Sequence, residues 1–146
     1  MHIVTITICT NSILLSGQTD KHRSGLMPVA NRYIKVSFQK EGIHKYPDAK
    51  NLKGVEFLQY PHRHIFHFYV TLSVEHNDRD VEFILFKREL ENLFENGTLQ
   101  LDYKSCEMLA EDLLDYLEIN YPKRGVRVEV YEDDENGGIL ENDLFN

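Results

Sequence analysis

Between residues 62 and 74 every even-numbered position is a histidine or a large apolar residue: His62, His64, Phe66, Phe68, Val70, Leu72 and Val74. Successive side chains of an extended chain point to opposite faces, so this run predicts a strand from about residue 64 to 75 with one face buried. Such a strand needs partner strands beside it and an apolar layer over it. Its buried face also opens with two imidazoles, which packing alone does not require. His67 shares the other face with Ile65 and Tyr69 and reads as structural or interfacial.

The rest of the chain supplies the partners. In RYIKVSFQK (32–40), Ile34, Val36 and Phe38 alternate with Lys35, Ser37 and Gln39, which predicts a half-buried strand that Gly42 breaks. The polar HNDRD (76–80) closes the second strand. DVEFILF (80–86) is too continuous for a clean amphipathic strand, and KRELENLF (87–94) reads as a short helix. Phe86, Leu90, Leu93 and Phe94 fall at helical spacing there, and Asn96-Gly97 supplies a stop. Ser105 is placed to cap a second helix, with Glu107 in its first turn. Leu109, Leu113 and Leu117 form its stripe, joined by Cys106, Ala110 and Tyr116, and Tyr121-Pro122 ends it. In GVRVEVYE (125–132), Val126, Val128 and Val130 share a face on which Glu132 is the next position. The turn DDENGG leads to a last short strand over 138–142. The expected order is strand, strand, helix, helix, strand, strand. This is an α+β fold with an antiparallel four-stranded sheet and both helices on one face. Residues 31–146 make a single domain. Residues 1–30 read as an arm, an extra strand, or sequence upstream of a start at Met27.

Composition narrows the partners. The net charge is −8 and no basic stripe collects phosphates, so nucleic acid is not expected. The N-terminus lacks a basic signal-peptide region, and no apolar run approaches the roughly 20 residues of a membrane span. Cys9 and Cys106 have no disulfide or zinc-knuckle spacing. A cytoplasmic protein with a small-molecule partner is the expectation.

Two histidines at i and i+2 on one strand put both rings on the same side, roughly 6–7 Å apart along the chain. Imidazoles reach far enough to converge on one cation. His44 follows the first strand and is the natural third ligand, giving a three-histidine zinc site with an open position. Such a site polarises a carbonyl or hydroxyl oxygen. The competing reading is that His62 and His64 are surface or hydrogen-bonded residues at a strand end. Glu132 has two readings as well: a solvated strand tip, or a buried carboxylate facing a ligand with paired N–H groups, as on a pterin or guanine edge.

Five short segments in order strengthen the chemical readings: Ile43-His44-Lys45-Tyr46-Pro47, His62-Arg63-His64-Ile65-Phe66, Val81-Glu82-Phe83 with Phe86-Lys87-Arg88-Glu89-Leu90, Ser105-Cys106-Glu107-Met108-Leu109-Ala110, and Val128-Glu129-Val130-Tyr131-Glu132. Over about residues 32 to 141 this series resembles the 6-pyruvoyl-tetrahydropterin synthase and 6-carboxytetrahydropterin synthase family. The resemblance implies the tunnelling fold, or T-fold, whose strands close into a β-barrel in a trimer or hexamer with ligand pockets between subunits. It implies zinc on His44, His62 and His64, a pterin- or purine-like ligand anchored by Glu132, and Ser105 at that ligand. The family's synthases carry a cysteine shortly before His-x-His; here no cysteine stands between Cys9 and Cys106, and Glu56 is the stand-in. A family Leu-Asp-His stretch supports proton transfer, and Leu101-Asp102-Tyr103 leaves only Asp102 for that role. Two functions follow from the resemblance. One is a zinc-dependent synthase-like lyase acting on a dihydropterin of the dihydroneopterin triphosphate type. The other is an inactive relative that holds a pterin or purine-like nucleotide.

Overall fold

The alternating run forms a strand as expected, and it is the centre of the sheet. The computed structural model describes residues 30–146. The arm expected over residues 1–30 falls outside the described residues apart from Ala30. The elements are β1 (Tyr33–His44), β2 (His62–Ser73), α1 (Phe83–Glu91), β3 (Leu99–Asp102), α2 (Cys106–Asn120), β4 (Val126–Glu132) and β5 (Asn136–Glu141). Two short 3-10 turns, Pro47–Asn51 and Glu56–Gln59, connect β1 to β2. No helix among these residues is long and apolar enough to cross a membrane.

Among the described residues the sheet has five strands rather than four, in the order β3-β1-β2-β4-β5. The additional strand, β3, runs parallel to β1 and pairs only with Gly42–His44; the other pairings are antiparallel. Its four residues, LQLD, are too few to show a period, and their partner lies some 60 positions away in sequence. Strand β1 does not stop at Gly42 but runs through it to His44. A Cβ at position 42 would stand 2.8 Å from Leu101 Cδ1 and 3.0 Å from the Phe66 ring. Glycine there marks close approach on the inner face, not a break.

One apolar layer fills the space under the sheet. Val36 and Phe38 of β1, Phe66, Phe68, Val70 and Leu72 of β2, and Val126, Val128 and Val130 of β4 meet Phe86 and Leu90 of α1 and the Leu109–Leu113–Leu117 stripe of α2. Both helices therefore cover the same face. α1 begins at Phe83, earlier than periodicity indicates, because the Glu82 side chain caps it by accepting the Leu85 N–H at 2.8 Å. It ends at Glu91, short of the expected Asn96-Gly97 stop; Phe94 still packs on the core, while Leu93 is exposed. α2 matches its expected limits, with the Ser105 hydroxyl accepting the Met108 N–H at 3.2 Å. Its first turn lies against β5, where a Cβ on Gly138 would fall 2.7 Å from Glu107 Cγ.

A half-buried ion pair ties the turn after β2 to the start of β4. Arg124 Nη1 donates to Asp80 Oδ2 at 2.5 Å and to the Ser73 carbonyl at 3.2 Å, and Asp80 also accepts the Glu75 N–H at 2.8 Å. The Arg124 guanidinium holds the Asp80 carboxyl below its ordinary value of 3.8. A depressed carboxyl pKa stabilises the fold above the unfolded value, and that contribution is lost as pH falls through the folded value. Asp80→Ala is expected to cost about 1.5–3 kcal/mol at pH 7, the range for hydrogen bonds to charged groups. Urea unfolding at pH 7 and again near pH 3 checks this; the gap from wild type should narrow at the lower pH.

Candidate metal centre

Strand register assembles the three histidines. His44 is paired directly with His62 across β1 and β2, and His64 stands opposite Gly42 two pairs further on. All three belong to the inner face, at the end where the apolar layer stops. The ring centroids of His44 are 4.6 Å from His62 and 5.4 Å from His64, and those of His62 and His64 are 5.0 Å apart. One ligating nitrogen from each lies within 4.8 Å of the others, so the three could hold a metal ion. His44 is buried at 7% exposure, while His62 and His64 are half-buried. His67 lies on the opposite face of the sheet, paired with Gln39 and Tyr131.

The outer nitrogens of the rings are all engaged. His44 Nδ1 meets the Lys104 carbonyl at 2.8 Å, His62 Nδ1 meets the Tyr60 carbonyl at 2.8 Å, and His64 Nδ1 meets Asp133 Oδ2 at 2.6 Å. Carbonyls and carboxylates only accept, so each Nδ1 carries the hydrogen and each neutral ring keeps its lone pair on Nε2. The Nε2 atoms of His44 and His64 are buried and make no well-formed hydrogen bond. Buried polar atoms are rarely left unpaired. Three fixed imidazoles with free Nε2 lone pairs are the donor set of a metal site whose outer partners orient the ligands. On this test the residues fit the group.

Glu132 completes the cluster. It is the β4 residue paired with Phe66, so its side chain falls on the inner face beside His64. Its Oε1 lies 3.1 Å from His44 Nε2 and its Oε2 lies 3.5 Å from His64 Nε2. A carboxylate facing two lone pairs is repelled unless a proton or cation stands among them. Glu132 accordingly raises the pKa of His44, against the opposing effect of burial. The His44 ring beside it lowers the Glu132 carboxyl in turn, and burial again acts the other way. The carboxylate is thus neither a free strand tip nor an isolated buried charge.

A cavity of about 310 Å³ opens beside this cluster. His44, His62 and Glu132 line it together with Tyr46 and Leu58 from the β1–β2 connection, Tyr103 before α2, and Ser105 and Cys106 at the start of α2. Ser105 is at the cavity as expected, with its hydroxyl already committed to capping. Cys106 is buried, and burial, together with the charge on Glu132, pushes its thiol up to about 12, so it stays protonated. Glu56 and Asp102 stand elsewhere. Glu56 is exposed and accepts the Gly54 N–H at 2.8 Å. Asp102 is exposed at the end of β3, its carboxylate 3.4 Å from Lys45 Nζ, and it lines a separate hollow with Ile43, His44 and Pro61.

Sequence reasoning missed Asp133, Cys106 and the two cavity tyrosines. Asp133 carried one readable signal, because two aspartates after a strand suit the left-handed positions of a tight turn. Cys106 showed only as part of a helix stripe. No family model matches the chain, and no curated protein matches it. Among solved structures, the crystal structure of uncharacterized protein WS1659 from Wolinella succinogenes is similar. It aligns with a TM-score of 0.60 at 14% identity, over 79% of this chain and 100% of that one. At that identity the likeness concerns the fold: an α+β arrangement with an open sheet and two helices.

Proposed function

We propose that this chain is a zinc-dependent enzyme of the tetrahydropterin-synthase type acting on a dihydropterin. The observation that carries the reading is the set of three Nε2 lone pairs, fixed by their Nδ1 hydrogen bonds and placed beside a carboxylate-lined cavity. His44, His62 and His64 would hold the ion, and three imidazoles favour zinc among the common cations. Zinc so held supplies Lewis acidity toward a side-chain oxygen of the ligand. Glu132 would turn its carboxylate to the paired N–H groups of the heterocycle. Tyr46 and Tyr103 line the same cavity, and aromatic side chains there would pack against a flat ligand. We extend the reading to a T-fold oligomer, a trimer or hexamer. Among the described residues β3 covers only the last part of β1, so β1 before Gly42 and the outer side of β5 are open edges. Pairing them between copies would close a barrel.

The test is metal analysis and native mass spectrometry, followed by incubation with dihydroneopterin triphosphate. One zinc per chain and consumption of the pterin are expected; a metal-free protein that leaves the pterin unchanged overturns the reading. A specific observation favours a second reading, a binding protein for a pterin or purine-like nucleotide: Glu56 and Asp102, the stand-ins for proton transfer, do not line the cavity. In that case zinc and an intact ligand are retained together without turnover, and Glu132→Ala releases the ligand while leaving the metal.

A further inference from the structure

β4 and β5 are joined by a tight turn in which Asp133 and Asp134 have φ of +50° and +59° and the Glu135 N–H donates to the Glu132 carbonyl at 2.9 Å. Left-handed backbone at both central positions is the type I′ pattern that suits the twist of a hairpin. Two consecutive non-glycine residues in that region carry strain, which persists only where surrounding contacts hold it. Asp134 Oδ1 accepts the Tyr69 hydroxyl at 2.8 Å, and the contacts to the start of β2 come from Asp133. Its N–H donates to the Ile65 carbonyl at 2.8 Å, its Oδ1 accepts the Ile65 N–H at 2.9 Å, and its Oδ2 accepts His64 Nδ1–H at 2.6 Å. The turn is therefore clamped onto the first residues of β2.

The other two histidines rest on backbone carbonyls, those of Lys104 and Tyr60. His64 alone has a charged acceptor behind its ring. A carboxylate there fixes the tautomer, sets the ring's rotation, and makes the opposite nitrogen a stronger donor than a neutral carbonyl does. We infer that Asp133 is a positioning residue for the metal centre: its carboxylate, held by the strained turn, orients His64 and strengthens Nε2 as a ligand. The inference rests on the reading of His44, His62 and His64 as metal ligands and adds a residue that touches neither ion nor ligand.

Two variants separate this role from a purely structural one. Asp133→Gly suits a φ of +50° and keeps the turn while removing the carboxylate. Asp133→Asn keeps an acceptor for His64 but removes its charge. Zinc affinity would be measured by chelator competition, with apo-protein melting recorded alongside. Affinity is expected to fall by about 10- to 100-fold in Asp133→Gly, and by less in Asp133→Asn, as is typical for outer partners of ligating histidines. Lowered apo-protein melting with wild-type zinc affinity in both variants overturns the inference and leaves Asp133 a turn residue. Failure of the wild-type chain to bind zinc at all would instead overturn the metal reading on which it stands.

Discussion

Replacing His44 with alanine is expected to reduce zinc affinity by more than about 100-fold, beyond the 10- to 100-fold range of an outer-partner change. His44 is the most buried of the three rings, it pairs directly with His62, and its free Nε2 is 3.1 Å from Glu132. Its loss removes one of three donors and leaves the Lys104 carbonyl without its partner. A stability measurement gives an independent readout, because an ion that binds only the folded chain stabilises it by mass action. With free zinc at 100 to 1,000 times its Kd, that stabilisation is about 2.7–4.1 kcal/mol, and EDTA should remove it from the wild type but not from His44→Ala. His67→Ala is the control, since His67 lies on the other face. Equal zinc affinity in wild type and His44→Ala would show that the triad is not the metal site.

Phe66→Ala is expected to be the most destabilising of these changes, at about 3–5 kcal/mol for a fully buried phenylalanine. That is a large share of the 5–15 kcal/mol typical of a domain, so unfolding midpoints should drop steeply. Phe66 has no exposed surface, and its ring stands perpendicular to His44 at 5.1 Å and nearly so to His64 at 6.0 Å. It is the floor of the histidine cluster as well as a core residue. Phe68→Ala makes the informative comparison. Phe68 is equally buried and stacks on Phe38 at 4.8 Å, one step further into the core and away from the histidines. Both variants should lose similar stability, but only Phe66→Ala should also weaken zinc binding by the folded fraction. If Phe66→Ala does not fold, Phe66→Leu keeps most of the volume and removes the ring edge. Zinc affinity unchanged in Phe66→Leu, or lowered alike in the Phe68 variant, would separate the floor from the site.

Much of this was legible before any coordinates. The period-two run of β2, the Val126–Val128–Val130 face and the Leu109–Leu113–Leu117 stripe each follow from local geometry, because alternation and helical spacing report which side of an element is buried. The same parity put His62, His64 and the core phenylalanines on one face, and Glu132 on the face of the valines. The Ser105 cap and the Tyr121-Pro122 stop are also local, since each depends on a few adjacent backbone groups.

What could not be read locally is whatever depends on register between distant segments. β3 exists because four residues find the end of β1, and Gly42 continues a strand because Leu101 and Phe66 come within a Cβ's reach of it. The distance from Glu132 to His44, and the absence of Glu56 and Asp102 from the cavity, follow from the same pairings. The clearest case is Asp133. Its neighbours in sequence mark it as a turn residue, and only the β2–β4 pairing brings its carboxylate, 69 positions away in the chain, to His64 Nδ1. Patterns of burial are written residue by residue along the chain. The protonation and orientation of a ring are set by whichever acceptor the completed fold brings to it.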